Sequence, residues 1–186
     1  INLSMSRLIT NTTIQMRSGL RGYEGSDTMK RILVFCIWLL VTVQAFAKER
    51  VALWPEGKIP DFQTSQIAAT TEEVKAPGFK AADYAMPYLD WYEAPAEKNG
   101  GCMLLISGGG YQSCCDGVWI DQAAEKFIEL GFVCASLTYR TPRPQGLPIY
   151  QTAWEDGQRA VRLVRNDAKK RGFDPEKIGV FGFSAG

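Results

Sequence analysis

Three short, unbroken apolar runs constrain this chain more than any other feature: "CMLLIS" at 102–107, "FVCASLTY" at 132–139 and "IGVFGF" at 178–183. A strand that meets water on one face alternates apolar with polar residues, whereas a strand covered on both faces does not. Between the runs lie two stretches of helical period. Over Val118–Leu130 the positions Ile120, Ala123, Ala124, Phe127 and Leu130 share one face, and Gly131 follows. Over Thr152–Arg171 the positions Ala153, Gly157, Ala160, Val161, Val164 and Ala168 turn inward. Arg159, Arg162, Arg165 and Lys169 form a solvated face on that helix, and Gly172 closes it. Strand, helix, strand, helix, strand in this order predicts parallel pairing with helices on both faces of one sheet, an α/β fold.

Upstream, residues 48–80 read as irregular, broken by Pro and Gly in "LWPEGKIPDF" and "KAPGF". "DYAMPYLDWYEAP" reads as a strand over Tyr84–Glu93, peripheral because Pro87 interrupts it. Further upstream, "MKRILVFCIWLLVTVQAFAKER" begins at Met29 with a charged Lys30-Arg31 pair. An apolar run from Ile32 to Val41 and a small-x-small site at Ala45-Phe46-Ala47 follow. That order is a secretory signal peptide over 29–47. The run is shorter than the roughly 20 residues of a membrane span. The expectation is a mature chain from Lys48, secreted or periplasmic and without a membrane anchor, with 1–28 an upstream or mis-called segment of no assigned structure.

A net charge of +1, with no basic patch interleaved with aromatics, argues against a nucleic-acid partner. No Cys, His or acidic spacing resembles a metal site, and no cofactor is expected. Of the cysteines after Lys48, Cys102 and Cys134 read as small buried hydrophobes. Adjacent Cys114 and Cys115 stay unassigned.

Two glycine-rich sites carry the chemistry. The chain ends "GFSAG", a G-x-S-x-G pattern where a buried strand stops, which is the setting of a nucleophile elbow with Ser184 at its tip. The second site, "LLISGGGYQS", follows another buried strand. As a dinucleotide loop it fails at Ser113, and Tyr139-Arg140 stands where an acidic residue is needed, although Arg140 would suit a 2′-phosphate. As a glycine run beside an elbow it frees backbone N–H groups to stabilise an oxyanion. Each site gives the other a purpose.

"SGGGYQS", "LWPEGKIP" and the whole stretch from "YRTPRPQGLPIYQ" to "FDPEKIGVFGFSAG" resemble secreted bacterial α/β-hydrolases of the carbohydrate-esterase, acetylxylan esterase-like type. The similarity runs from about Trp54 to Gly186. It implies that residues 48–186 are the N-terminal, incomplete part of an α/β-hydrolase domain. It makes Ser184 the nucleophile and the N–H groups of Gly109, Gly110 and Ala185 the oxyanion donors. Acylated carbohydrate or another small ester would be the substrate. Ser107 stands where lipase-type relatives have histidine, and Asp156 and Arg140 read as structural. In this fold the acid and the histidine follow the serine, and the chain has no histidine. Both partners are therefore expected beyond Gly186, leaving this fragment inactive alone. A prolyl-oligopeptidase-like serine peptidase and a non-catalytic carbohydrate-binding or scaffold protein are the alternatives.

Overall fold

The computed structural model describes residues 48–81, 86–115 and 117–186. The predicted signal peptide and everything before it lie outside these residues. In chain order the elements are β1 (Glu49–Ala52), α1 (Thr71–Lys75), β2 (Tyr88–Trp91), β3 (Cys102–Ile106), α2 (Gly117–Glu129), β4 (Val133–Thr138), α3 (Gln151–Arg171) and β5 (Ile178–Gly182).

The strands form one sheet in the order β1-β2-β4-β3-β5. The three apolar runs are the parallel part: β3 pairs with β4 on one side, Leu104 opposite Ala135, and with β5 on the other, Leu104 opposite Val180. β1 and β2 extend the sheet in antiparallel sense. Two expectations fail here. β2 is not peripheral, because β1 covers it, and all four of its residues are buried. Pro87 sits one residue ahead of the strand, so its missing N–H costs no ladder bond, and its carbonyl accepts from Leu53 N at 2.8 Å. The stretch read as irregular also holds β1 and the short helix α1, which Thr70 and Glu73 cap reciprocally.

Alternation along the strands divides the core. Cys102, Leu104, Val133, Ala135, Leu137 and Tyr139 pack with Ala160, Val164 and Ala168 of α3. Leu105 and Cys134 point to the other face, against Ile120 and Ala124 of α2. The sheet is thus the middle of three layers. Burying side chains such as Leu104 and Leu105 stabilises by ~1.5–3 kcal/mol each. Leu130 departs from its expected inward position and is 65% exposed, because α2 closes at Glu129 and the chain turns through Leu130. Arg159 also departs: it is half-buried, and its Nε donates to Leu53 O at 3.0 Å.

One polar cluster is sealed into the layer between the sheet and α3. Asp156 is fully buried and accepts from Arg140 N (3.0 Å), Arg140 Nε (2.9 Å) and Trp54 Nε1 (2.8 Å). Arg140 also donates to Pro60 O, Thr152 O and Glu155. Burial pushes the Asp156 carboxyl up while the donors from Arg140 pull it down. The pair locks the exit of β4 to the first turns of α3 and to the N-terminal segment, the structural role read from sequence. Its burial also removes Arg140 from any 2′-phosphate site.

Candidate active site

Strand order brings the two glycine-rich sites together. From β3 the chain steps to β4 on one side, then crosses back over β3 to β5 on the other. The connections leaving the carboxyl ends of β3 and β4 run to opposite faces, to α2 and α3 respectively. Crevices at such reversals are where parallel α/β sheets bind ligands. The loop after β3 holds Gly108–Gly110, and the loop after β5 holds Ser184.

Ser184 has φ +55°, a left-handed conformation that costs an L-residue ~1–2 kcal/mol. A tight turn holds it there, with Gly186 N donating to Phe183 O at 3.0 Å. Ser184 also abuts the glycine run directly. A Cβ on Gly108 would lie 2.9 Å from Ser184 Cβ and 2.9 Å from Phe183 O, so only glycine admits the serine here.

The glycine loop closes on itself through its carbonyls. Gly108 O accepts from Cys115 N at 2.8 Å, and Gly109 O from Gln112 N (2.9 Å) and Ser113 N (3.3 Å). In a planar peptide the carbonyl and the next N–H point opposite ways. Tying down the carbonyls of Gly108 and Gly109 thereby orients the amides of Gly109 and Gly110 away from those bonds. Those two amides and that of Ala185 have no hydrogen-bond partner among the described residues. Three free donors beside a serine form a group that can receive a developing oxyanion.

Ser107 holds the entry to the loop. Its carbonyl accepts from Tyr139 Oη at 2.9 Å. Burial pushes the Tyr139 phenol up, so it keeps the proton it donates. The unassigned cysteines take different places: Cys114 is buried, its thiol donating to Tyr139 O, while Cys115 is partly exposed and ties Gly108 O through its backbone. All four described cysteines are free. Cys102 and Cys134 face opposite sides of the sheet, as small hydrophobes of its two cores.

A hollow of about 310 Å³ opens beside this group on the α3 face, lined by Ile106, Tyr111, Val161, Val180, Ala185 and Gly186 among others. Ser184 itself is not among the residues that line it. Sequence reasoning missed Arg143, whose guanidinium donates to Gly110 O through Nε and Nη2, both at 3.2 Å. Its setting in "RTPRPQ" carries no spacing signal for that contact.

Residues 89–186, just over half of the chain, match the BD-FAE family. Endo-1,4-beta-xylanase B of Butyrivibrio fibrisolvens is 40% identical over 85 residues, 46% of this chain and 13% of that protein. The acetyl ester-xyloside bifunctional hydrolase of Caldicellulosiruptor lactoaceticus is 27% identical at a TM-score of 0.51, over 73% of this chain and 42% of that one. The α/β hydrolase MGS-M1, from a Medee basin deep-sea metagenome library, is 19% identical at a TM-score of 0.50, over 77% of this chain and 48% of that one. The chain thus spans less than half the length of each of these relatives. The sheet, its crossovers and these likenesses agree on the α/β-hydrolase fold, and the chain belongs to the BD-FAE family.

Proposed function

We propose that this chain carries the nucleophile and the oxyanion donors of a secreted or periplasmic serine carboxylic-ester hydrolase that removes acetyl groups from plant polysaccharide. The observation that carries the reading is Ser184, held left-handed against Gly108 beside the partnerless amides of Gly109, Gly110 and Ala185. Its similarity to an acetyl ester-xyloside hydrolase and to a xylanase supports acylated xylan as the substrate.

In this mechanism Ser184 Oγ attacks the ester carbonyl carbon and loses its proton to a base. The three amides stabilise the oxyanion, each donor being worth about 10²–10³ in rate where one has been removed. Collapse expels the sugar hydroxyl, which takes up the proton. Water then cleaves the acyl-enzyme, releasing acetate and restoring the serine. The base is a histidine oriented by a carboxylate, and this histidine-free chain does not supply it. This reading therefore requires both from sequence outside these 186 residues.

The test uses the complete gene product on acetylated xylan and p-nitrophenyl acetate. Ser184→Ala should abolish turnover of both. Ester turnover that survives the substitution rejects Ser184 as nucleophile. Preference for peptide substrates would redirect the reading to a peptidase, and no turnover by the intact protein would leave a carbohydrate-binding or scaffold role.

A further inference from the structure

The glycine loop has a weak point at Gly110. Gly108 O and Gly109 O are tied from within the loop, by Cys115, Gln112 and Ser113. The next peptide, Gly110–Tyr111, lies where the backbone turns left-handed twice in succession, with φ +61° at Gly110 and +60° at Tyr111. Tyr111 is not a glycine, so the turn carries a cost of ~1–2 kcal/mol that something must offset. No backbone N–H among the described residues bonds Gly110 O; its hydrogen bonds come from Arg143.

We propose that Arg143 is a positioning residue for the oxyanion loop, acting through its two-pronged hydrogen bond to Gly110 O; this rests on the esterase reading above. The guanidinium fixes the plane of the Gly110–Tyr111 peptide, which holds the left-handed pair in place. The free amides of Gly109 and Gly110 then keep one orientation toward Ser184. A planar fork suits this task, since two donors converge on a single oxygen and define direction as well as distance. The segment that carries Arg143 is itself anchored. Ile67 and Thr141 exchange backbone hydrogen bonds at 2.6 and 2.9 Å, and Gln145 N donates to Gln63 Oε1 at 2.8 Å. Arg140, three residues before, is bolted into the core through Asp156. Arg143 therefore transmits a rigid frame to a loop peptide that lacks an internal tie. Its exposure keeps the guanidinium hydrated, so the contact contributes direction more than stability.

The experiment compares Arg143→Ala, Arg143→Lys and Ser184→Ala in the complete gene product on p-nitrophenyl acetate, with active sites counted by fluorophosphonate labelling. Arg143→Ala should lower kcat per labelled site by about 10- to 100-fold, as for a misplaced oxyanion donor, with KM within about twofold of wild type. Inhibition by methylboronic acid, which forms a tetrahedral adduct on the serine, should weaken by the same factor. A merely structural loss would reduce the number of labelled sites and leave both ratios alone. Arg143→Lys should recover part of kcat, because an ammonium can supply one donor to Gly110 O. Should Arg143→Ala fail to fold, Arg143→Lys and Arg143→Gln decide by the same ratios. Wild-type kcat per site overturns the proposal, as does a raised KM with kcat unchanged. An inactive Ser184→Ala beside a normal Arg143→Ala sinks this inference alone, whereas an active Ser184→Ala sinks the esterase reading.

Discussion

Replacing Gly109 by alanine should break the glycine loop, and the structure says by how much. Gly109 has φ +135°, which costs a residue with a Cβ ~1–3 kcal/mol. The new methyl group would overlap the Ser113 carbonyl oxygen and lie 2.7 Å from its carbon. Those are backbone atoms, so no rotamer change relieves the clash and the loop has to open. Opening it forfeits the bonds from Gln112 N and Ser113 N to Gly109 O, at ~1 kcal/mol each. The local cost is then about 3–5 kcal/mol. Gly110 supplies the control. Its φ is +61°, but an added Cβ meets nothing within 4 Å, so Gly110→Ala should cost only ~1–2 kcal/mol. In the complete protein, Gly109→Ala should lower kcat for p-nitrophenyl acetate about 10²–10³-fold, against about tenfold or less for Gly110→Ala. Thermal melts run in parallel separate loop opening from global unfolding. Equal kcat for the two variants, or wild-type kcat in Gly109→Ala, would refute the geometry on which this reasoning rests.

Asp156→Ala should destabilise the fold by about 3–5 kcal/mol in urea titrations, because it strands the buried Arg140 guanidinium; a loss below about 1 kcal/mol would show that Glu155 and the carbonyl acceptors suffice. Burial pushes the thiols of Cys102, Cys114 and Cys134 up to about 12, so they stay protonated until the pH nears that value. Only thiolates attack alkylating reagents. Iodoacetamide at pH 8 should therefore modify the half-exposed Cys115 of the native protein and spare the other three, as read by peptide mass spectrometry. Equal labelling of Cys114 would contradict the burial described above.

Much of the candidate site was legible because its signals are local. The helical stretches between the apolar runs require crossovers, so the parallel pairing of β3, β4 and β5 follows from pattern alone; burial on both faces holds for β3 and β4 but not for β5, whose Val180 is 54% exposed. Ser184 and the glycines at 108–110 were legible because backbone that must turn left-handed or approach closely favours residues without a side chain. β1 escaped notice because an edge strand with three exposed residues out of four carries no apolar pattern. β2 was misplaced for a related reason: a proline tells of a missing donor, but not whether that donor falls inside the ladder or one residue before it.

Sequence by itself determined the order of strands and helices and where the backbone bends against its preference at Ser184 and the glycine run. Only tertiary structure decided who stands beside whom. That β5 pairs with β3 rather than with β4 is what sets Ser184 against Gly108, and no local pattern distinguishes the two pairings. The contact of Arg143 with Gly110, 33 residues apart, arises the same way. Periodicity records a side chain's exposure to water, a property of one element. Neighbourhood is a property of the whole packed sheet, set by hydrogen-bond register and layer packing over long separations in the chain.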